Sequence, residues 1–142
     1  MKDNNLQRFI DAQQGVYEQA LSEIKRGRKQ SHWMWFVFPQ IKGLGFSETS
    51  KRYAIQNKEE GQAYLQHPLL GARLLQISEA LLQLQSNNAY QIFGSPDDVK
   101  LKSSMTLFSS LQDAPPIFQK VLDKFFEGTK DSKTLSLMKG QP

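Results

Sequence analysis

Hydrophobic side chains along most of the chain recur every three or four residues, which is the period of a helix with one buried face. The longest patterns cover residues 5–26 and 69–84, and shorter ones follow Pro96 and Pro116. Alternation of hydrophobic and polar residues, the pattern of a half-buried strand, is nearly absent. The pattern therefore predicts that residues 1–142 form a single all-α domain, a compact bundle of about six to eight short helices.

Residues that commonly begin and end helices indicate the boundaries. Gly27 is expected to end the first of these helices. Ser47 is placed to cap a short helix, and Asn57 followed by Glu60 resembles a capping box. Further helix starts are predicted at His67-Pro68, at Ala89, at Ser95-Pro96-Asp97, at Pro115-Pro116 and at either Asp131 or Ser132.

Residues 31–38 do not follow the helical period. Six consecutive large apolar residues come directly after His32, and Pro39 disfavours a helix at the residue before it. We therefore expect either a short strand or a buried turn of helix, followed by a loop. In that loop Gly43 and Gly45 allow the backbone to come close to a neighbour or to a ligand.

The composition excludes several kinds of site. The chain has no cysteine, which excludes disulfides, cysteine catalysis and a thiolate metal site, and its two histidines are too few for a histidine-built metal site. We therefore predict no metal and no cofactor. No apolar run approaches the ~18 residues of a membrane span, and the first residues lack the apolar stretch of a signal peptide. These features predict a cytoplasmic protein that does not enter a membrane.

The positive charge is unevenly distributed. The net charge of +4 arises within residues 1–52, which hold nine basic and five acidic side chains, whereas residues 53–142 hold nine of each. Because aromatic residues follow the densest basic segment, that segment could bind the phosphates of a nucleotide or a nucleic acid. The alternative is a solvated helix end whose cations complement the helix dipole. The basic residues of this segment are Lys25, Arg26, Arg28 and Lys29.

A polar row on the helix after Pro96 is the first candidate for chemistry. Asp97, Lys100 and Ser104 are three and four residues apart, so they share one face, and Ser103 borders it. Beside a buried apolar stripe, the lysine could bind phosphate or stabilise an oxyanion. The alternative is a solvated ion pair with serines bonded to their own helix.

The tryptophan segment is the second candidate. His32 can transfer protons near neutral pH, and the indoles of Trp33 and Trp35 can stack on a flat ring. The alternative is that these tryptophans belong to the core. Arg73 lies among leucines, where it would bind an anion or pair with a structural acceptor. His67 is expected to cap a helix or to pack.

Several motifs together resemble a bacterial family of unknown function that is catalogued under the number 1810. They are SHWMWFVFPQ at residues 31–40 with the three residues before it, Gly43-Leu44-Gly45, and motifs at residues 53–55, 64–74, 92–94, 97–108 and 131–135. The resemblance covers nearly the whole chain. It implies a compact, mainly helical protein of the bacterial cytoplasm and no established reaction. Members are often mislabelled calpastatin-like, although a calpain inhibitor is a disordered, repetitive chain and this chain has no repeat.

Together these patterns predict a pocket between residues 31–40 and 97–104. The predicted function of this pocket is that of a nucleotide-type small-molecule hydrolase. The hydrolase is expected to be N-glycosidase-like by a general likeness to the NADAR N-glycosidases in size and in the style of the polar pocket, with no matched motif. The expected catalytic residues are His32, Asp97, Lys100 and Ser104. The expected ligand-binding residues are Arg28, Trp33, Trp35, Gln40, Arg73 and Ser103. The alternatives are a non-catalytic module that binds nucleic acid or protein through residues 25–29, and a purely structural role for both motifs.

Overall fold

Ten helices and no strand form the part of the chain that the computed structural model describes, residues 5–140. They are α1 (Gln7–Gln13), α2 (Tyr17–Lys25), α3 (Met34–Val37), α4 (Glu48–Arg52), α5 (Lys58–Gln66), α6 (Leu70–Leu82), α7 (Ala89–Phe93), α8 (Asp97–Ser109), α9 (Ile117–Phe126) and α10 (Ser132–Lys139). None of these ten is long and apolar enough to cross a membrane. The predicted all-helical class is confirmed. The number of helices exceeds the predicted six to eight, because one predicted helix is divided and a short one forms in the tryptophan segment.

The prediction of one helix over residues 5–26 is wrong, because two helices, α1 and α2, occupy this range. Gln14 leaves the helical backbone with a ψ of 124°, and Gly15 follows with a φ of 75°, a value that favours glycine. Gln13, the last residue of α1, is buried, and its side-chain amide donates a hydrogen bond to the hydroxyl of Tyr64 at 3.1 Å. The hydrophobic period continues across the turn and therefore does not reveal it.

The tryptophan segment contains a short helix, α3, rather than a strand. Trp33 immediately before α3 and Phe38 immediately after it are completely buried. Both rings pack against the ring of Phe93, with centroids 6.5 and 6.0 Å apart. Large apolar residues before and after α3 are therefore both in the core. This burial at both ends of a very short helix explains why the segment follows neither a helical nor a strand period.

The loop after α3 is joined to the segment after α4 by one parallel bridge between Ile41 and Ile55. The amide of Lys42 donates to the carbonyl of Ile55 at 2.9 Å, and the amide of Ile55 donates to the carbonyl of Gln40 at 2.8 Å. These two hydrogen bonds hold together the two stretches of irregular chain on either side of α4.

Most predicted helix caps are confirmed. The side chains of Ser47, Asn57 and Asp131 each accept a hydrogen bond from the amide three residues later, at the starts of α4, α5 and α10. At the start of α6, Nδ1 of His67 accepts hydrogen bonds from two following amides, at 3.1 and 3.2 Å. At the predicted start Ser95-Pro96-Asp97 the expectation that Ser95 caps the helix is wrong, because Pro96 occupies the cap position of α8 and makes no side-chain cap hydrogen bond.

The hydrophobic core is centred on α8 and α9, with α6 packed against α9. α9 has a clear buried face, formed by Phe118, Val121, Leu122 and Phe125. The ring of Phe108 on α8 packs against Phe118, with 5.7 Å between the centroids. Since full burial of such a side chain contributes about 1.5–3 kcal/mol, this contact between α8 and α9 is a major source of stability.

A buried ion pair fastens α1 to α5 and, through further hydrogen bonds, to the segment between α4 and α5. The guanidinium of Arg8 contacts both carboxylate oxygens of Glu60, at 3.0 and 3.2 Å. It also donates to the carbonyls of Arg52 and Ala54, each at 2.7 Å. Glu60 further accepts from the amide of Gln56 at 2.9 Å. Because every charge in this cluster has a partner, the segment is held firmly against α1.

Gly71 is predicted to tolerate no larger side chain. It lies where α6 passes α5, and a Cβ there would overlap the backbone carbonyl of Leu65. We expect Gly71→Ala to lower the free energy of unfolding by about 1–3 kcal/mol, measured by urea denaturation, because the backbone must shift to make room. Gly61→Ala is the matched control, since a Cβ there meets only ordinary contacts and alanine favours a helix. Equal stability of the two variants would contradict the close packing of α5 and α6.

Candidate functional site

A cavity of 420 Å³ lies beside Trp35. Its walls come from α3, from the loop that follows α3, from α4 and from the segment before α5. The lining residues are Trp35, Gln40, Ile41, Lys42, Gly43, Gly45, Phe46, Ser50, Lys51, Tyr53, Ala54 and Gln56. The volume falls within the ~300–1,000 Å³ that is usual for small-molecule sites.

Two glycines bring the loop after α3 close to other parts of the chain. Gly45 lies so near Ser50 that a Cβ would overlap its side chain, and Gly43, with a φ of 110°, lies against the side chain of Leu137 in α10. The close approach that these glycines predict is therefore made to the protein itself. Because both glycines also line the cavity, these contacts set the position of one of its walls.

Three aromatic side chains line the cavity. Trp35 is half-buried, and the ring of Tyr53 packs edge-on against Phe36, with 5.3 Å between the centroids. Phe46 also lines the cavity, although 79% of its surface is exposed. A large apolar side chain as exposed as Phe46 has few contacts in the protein, so its ring is available to a ligand.

The cavity is basic. Lys42 and Lys51 line it, are exposed, and make no ion pair within residues 5–140. Among the described residues that line it, none is an acid or a histidine. Glu48 instead lines a shallow depression beside it, together with Lys51. The two ammonium groups are therefore available to an anion.

The two predicted pocket segments touch each other but do not share the cavity. Nζ of Lys100 lies 5.1 Å from the ring centroid of Trp35. The carboxylate of Asp97 pairs with Lys100 at 3.4 Å and with Lys29 at 2.8 Å. Trp35 and Gln40 line the cavity, whereas no residue of α8 does. α8 therefore supports the tryptophan from outside the cavity.

The predicted catalytic serine and histidine do not lie in one cleft. His32 is exposed and does not line the cavity. Ser104 is completely buried, and its hydroxyl has no hydrogen-bond partner among the described residues. The neighbouring Ser103 hydroxyl contacts the carboxylate of Asp131 at 3.1 Å and the carbonyl of Val99 at 3.3 Å. The structure thus places both serines in the packing around α8.

The remaining predicted ligand-binding residues also lie away from the cavity. Trp33 is completely buried. Arg73 donates to the side-chain oxygen of Gln13 at 3.1 Å and lies over the ring of Tyr17, which is a structural pairing rather than a free anion site. Arg28 lines a separate groove together with residues of α7.

Four lining residues that the sequence did not predict give the cavity most of its aromatic and basic character. They are Lys42, Phe46, Lys51 and Tyr53. Two of them had a signal in the sequence: Lys42 precedes Gly43 in the glycine loop, and Tyr53 begins one of the family motifs. Phe46 and Lys51 had none, because nothing in the sequence indicates that the loop and α4 face each other.

A buried carboxylate, Glu23, was not predicted either, and it holds the tryptophan segment. It is 1% exposed and accepts hydrogen bonds from the amides of Gln30 and Ser31, at 2.8 and 3.0 Å, from the indole of Trp33 at 2.9 Å and from the Ser31 hydroxyl. Burial alone would raise its pKa, but these hydrogen bonds together lower the pKa from the ordinary 4.5 to about 2. The signal for this residue was an acid within the apolar stripe of α2.

Acid is expected to destabilise the protein through Glu23. Because folding lowers the pKa of Glu23, its contribution to stability is complete above the ordinary value of 4.5 and is lost as the pH falls towards about 2. We expect the free energy of unfolding, measured by urea denaturation, to decrease over this range. Glu23→Gln should lower it by about 1–3 kcal/mol at neutral pH and flatten the pH dependence. Glu48→Gln in the exposed first turn of α4 should lower it by less than about 1 kcal/mol and leave the pH dependence in place. If the free energy of unfolding of Glu23→Gln decreased with acid as much as that of the wild type, another group would be responsible for the effect.

A solved structure shares this fold. The chain superposes on the crystal structure of the conserved hypothetical protein Rv1873 from Mycobacterium tuberculosis with a TM-score of 0.95 and 47% sequence identity, over 97% of this chain and 99% of that chain. Because that protein is itself hypothetical, the likeness supports the fold and assigns no reaction. No curated protein matches this chain. The family model described as a protein of unknown function, DUF1810, matches residues 3–138, and the chain therefore belongs to the DUF1810 family.

Proposed function

We propose that the chain binds a nucleotide-type small molecule, a flat ring that carries an anionic group, in the cavity beside Trp35. The observation that carries this proposal is the composition of the walls. Three aromatic side chains and two lysines without an ion pair line the cavity, and no acid lines it among the described residues. Aromatic walls alone fit many apolar ligands, and lysines alone are common on surfaces. Their combination in one cavity matches both parts of a nucleotide.

The aromatic walls suit a flat ring. A stacked or edge-on aromatic contact contributes about 0.5–1.5 kcal/mol beyond the burial of apolar surface. Contacts within the protein already position Trp35 and Tyr53, so binding would cost little side-chain entropy at these two residues. The exposed ring of Phe46 would be covered by the ligand, which removes apolar surface from water.

The basic side chains suit a phosphate. Lys42 and Lys51 make no ion pair within the described residues, and a charge-assisted hydrogen bond contributes about 1.5–3 kcal/mol. Gln40 and Gln56 place amide groups in the same walls. The Gln56 amide nitrogen donates to the carbonyl of Ala54 at 3.1 Å, and a side-chain amide oxygen can accept a hydrogen bond from an N–H of the ring.

The predicted hydrolysis is not part of this proposal. Cleavage of an N-glycosidic bond needs a group that activates water or protonates the leaving base. His32, Asp97 and Ser104 do not line the cavity, and among residues 5–140 the titratable side chains that do are Tyr53 and the two lysines. Binding is therefore the function proposed, and N-glycosidase-like hydrolysis stays a separate prediction.

Ligand binding is testable by isothermal titration calorimetry with AMP, ADP-ribose and NAD⁺. We expect at least one of them to bind and, in a parallel titration, to change the tryptophan fluorescence of the chain, because Trp35 lines the cavity whereas Trp33 is buried. The double variant Lys42→Ala/Lys51→Ala should bind at least about tenfold more weakly, because it cannot form the two charge-assisted hydrogen bonds to the ligand. Its matched control is Lys120→Ala/Lys139→Ala, which removes the same charge from exposed residues that do not line the cavity. No binding at millimolar concentration, or equal weakening in both double variants, would overturn the proposal.

Hydrolysis is tested separately by incubating the wild-type chain with NAD⁺ and measuring free nicotinamide by chromatography. Release of nicotinamide that disappears in Lys42→Ala/Lys51→Ala would place an N-glycosidase reaction at the cavity. Recovery of intact NAD⁺ from a chain that binds it would remove the hydrolase prediction and leave the binding function in place.

A further inference from the structure

A second basic surface lies where the end of α2 meets α7. It is an open groove of 690 Å³, called here the basic groove, and its walls are residues 26–29 and 90–94. The basic groove shares no lining residue with the cavity beside Trp35. Within the described residues no acid lines it.

The cations of the basic groove are not explained by the local structure. Arg26 and Arg28 are exposed and make no ion pair within the described part of the chain. The last carbonyls of α2 already accept hydrogen bonds from the backbone amides of Arg26, Gly27 and Arg28. These arginine side chains are therefore not needed to cap the helix. Lys29 is different, because it pairs with Asp97.

An exposed aromatic ring and two glycines line the basic groove together with these cations. Tyr90 lines the basic groove with 63% of its surface exposed, and its ring packs against no other aromatic ring among the described residues. Gly27 and Gly94 also line it, and a Cβ at either position would meet nothing within 4 Å. The backbone at these two glycines is therefore open to a partner that approaches closely.

We propose that the basic groove binds single-stranded nucleic acid, with Arg26 and Arg28 on phosphates and a base stacked on Tyr90. Proteins that bind single strands without sequence preference combine a basic groove with exposed aromatic rings. A duplex buries the faces of its bases and would leave Tyr90 without a partner, and an acidic peptide offers the arginines charge but no ring. This inference does not rest on the nucleotide proposed for the cavity.

The binding is testable by fluorescence anisotropy with labelled oligo(U) and oligo(dT) of about twelve nucleotides, a length suited to one small domain. We expect at least one of the two to bind, with an affinity that falls linearly with salt on logarithmic axes. Arg26→Ala/Arg28→Ala should reduce that slope by about 0.7 for each phosphate that the variant no longer neutralises. Tyr90→Ala should weaken binding about tenfold, whereas Tyr90→Phe, which keeps the ring, should bind like wild type. Binding of neither oligonucleotide at low salt would overturn the proposal.

Two controls separate this site from general charge and from the cavity. Lys120→Ala/Lys139→Ala removes two charges outside the basic groove, and an equal decrease of affinity in this variant would overturn the proposal. Lys42→Ala/Lys51→Ala should keep its oligonucleotide affinity even if it no longer binds AMP. Polyglutamate that competes as well as unlabelled oligo(U) would also overturn the proposal, as would equal binding by Tyr90→Ala and wild type. Circular dichroism melting confirms that each variant is folded.

Discussion

The buried carboxylate of Glu23 fixes the stretch of chain on which both candidate surfaces depend. It accepts hydrogen bonds from the backbone amides of Gln30 and Ser31, which belong to no helix, and from the indole of Trp33. On one side of this stretch lie the arginines of the basic groove, and on the other side α3 begins and presents Trp35 to the cavity. A buried carboxylate without hydrogen bonds has a high free-energy cost. Any movement of this stretch away from Glu23 is therefore opposed by the loss of these hydrogen bonds.

Similar polar clusters replace secondary structure elsewhere in the fold. Short helices leave much irregular chain whose backbone groups need partners. The Arg8–Glu60 pair supplies them for the segment that carries Tyr53, and the bridge after α3 supplies them for the opposite wall. Asp97 pairs with Lys29 and thereby connects α8 to the segment between α2 and α3. The cavity is therefore walled mostly by irregular chain, but that chain is tied at several points to the helical core.

The helices were largely predictable because their signals are local. Caps such as Ser47 and Asn57, and the periodic apolar faces of α6 and α9, act over a few residues. The break between α1 and α2 was not predictable from the period, because the apolar positions continue across Gly15.

The site was predictable only in part. Trp35 and Gln40 were expected to bind a ligand and do line a cavity, but the facing wall is set by a long-range bridge that no local pattern encodes. Asp97, Lys100 and Ser104 share one face of α8 as their spacing predicts, but they do not line a pocket. Spacing along a helix determines which side chains share a face, but it does not determine what packs against that face.

The glycines of the loop after α3 carry a consequence for evolution. Gly43 and Gly45 are confined by Leu137 and Ser50, so a mutation to any larger residue is opposed by crowding whether or not the cavity holds anything. If distant relatives have the same two glycines, the packing of this loop is therefore a sufficient explanation, and a ligand is not needed to explain it. Lys42, Phe46 and Lys51 are not confined in this way. Whether relatives keep or replace these three residues would therefore indicate whether the chemistry of the cavity is under selection.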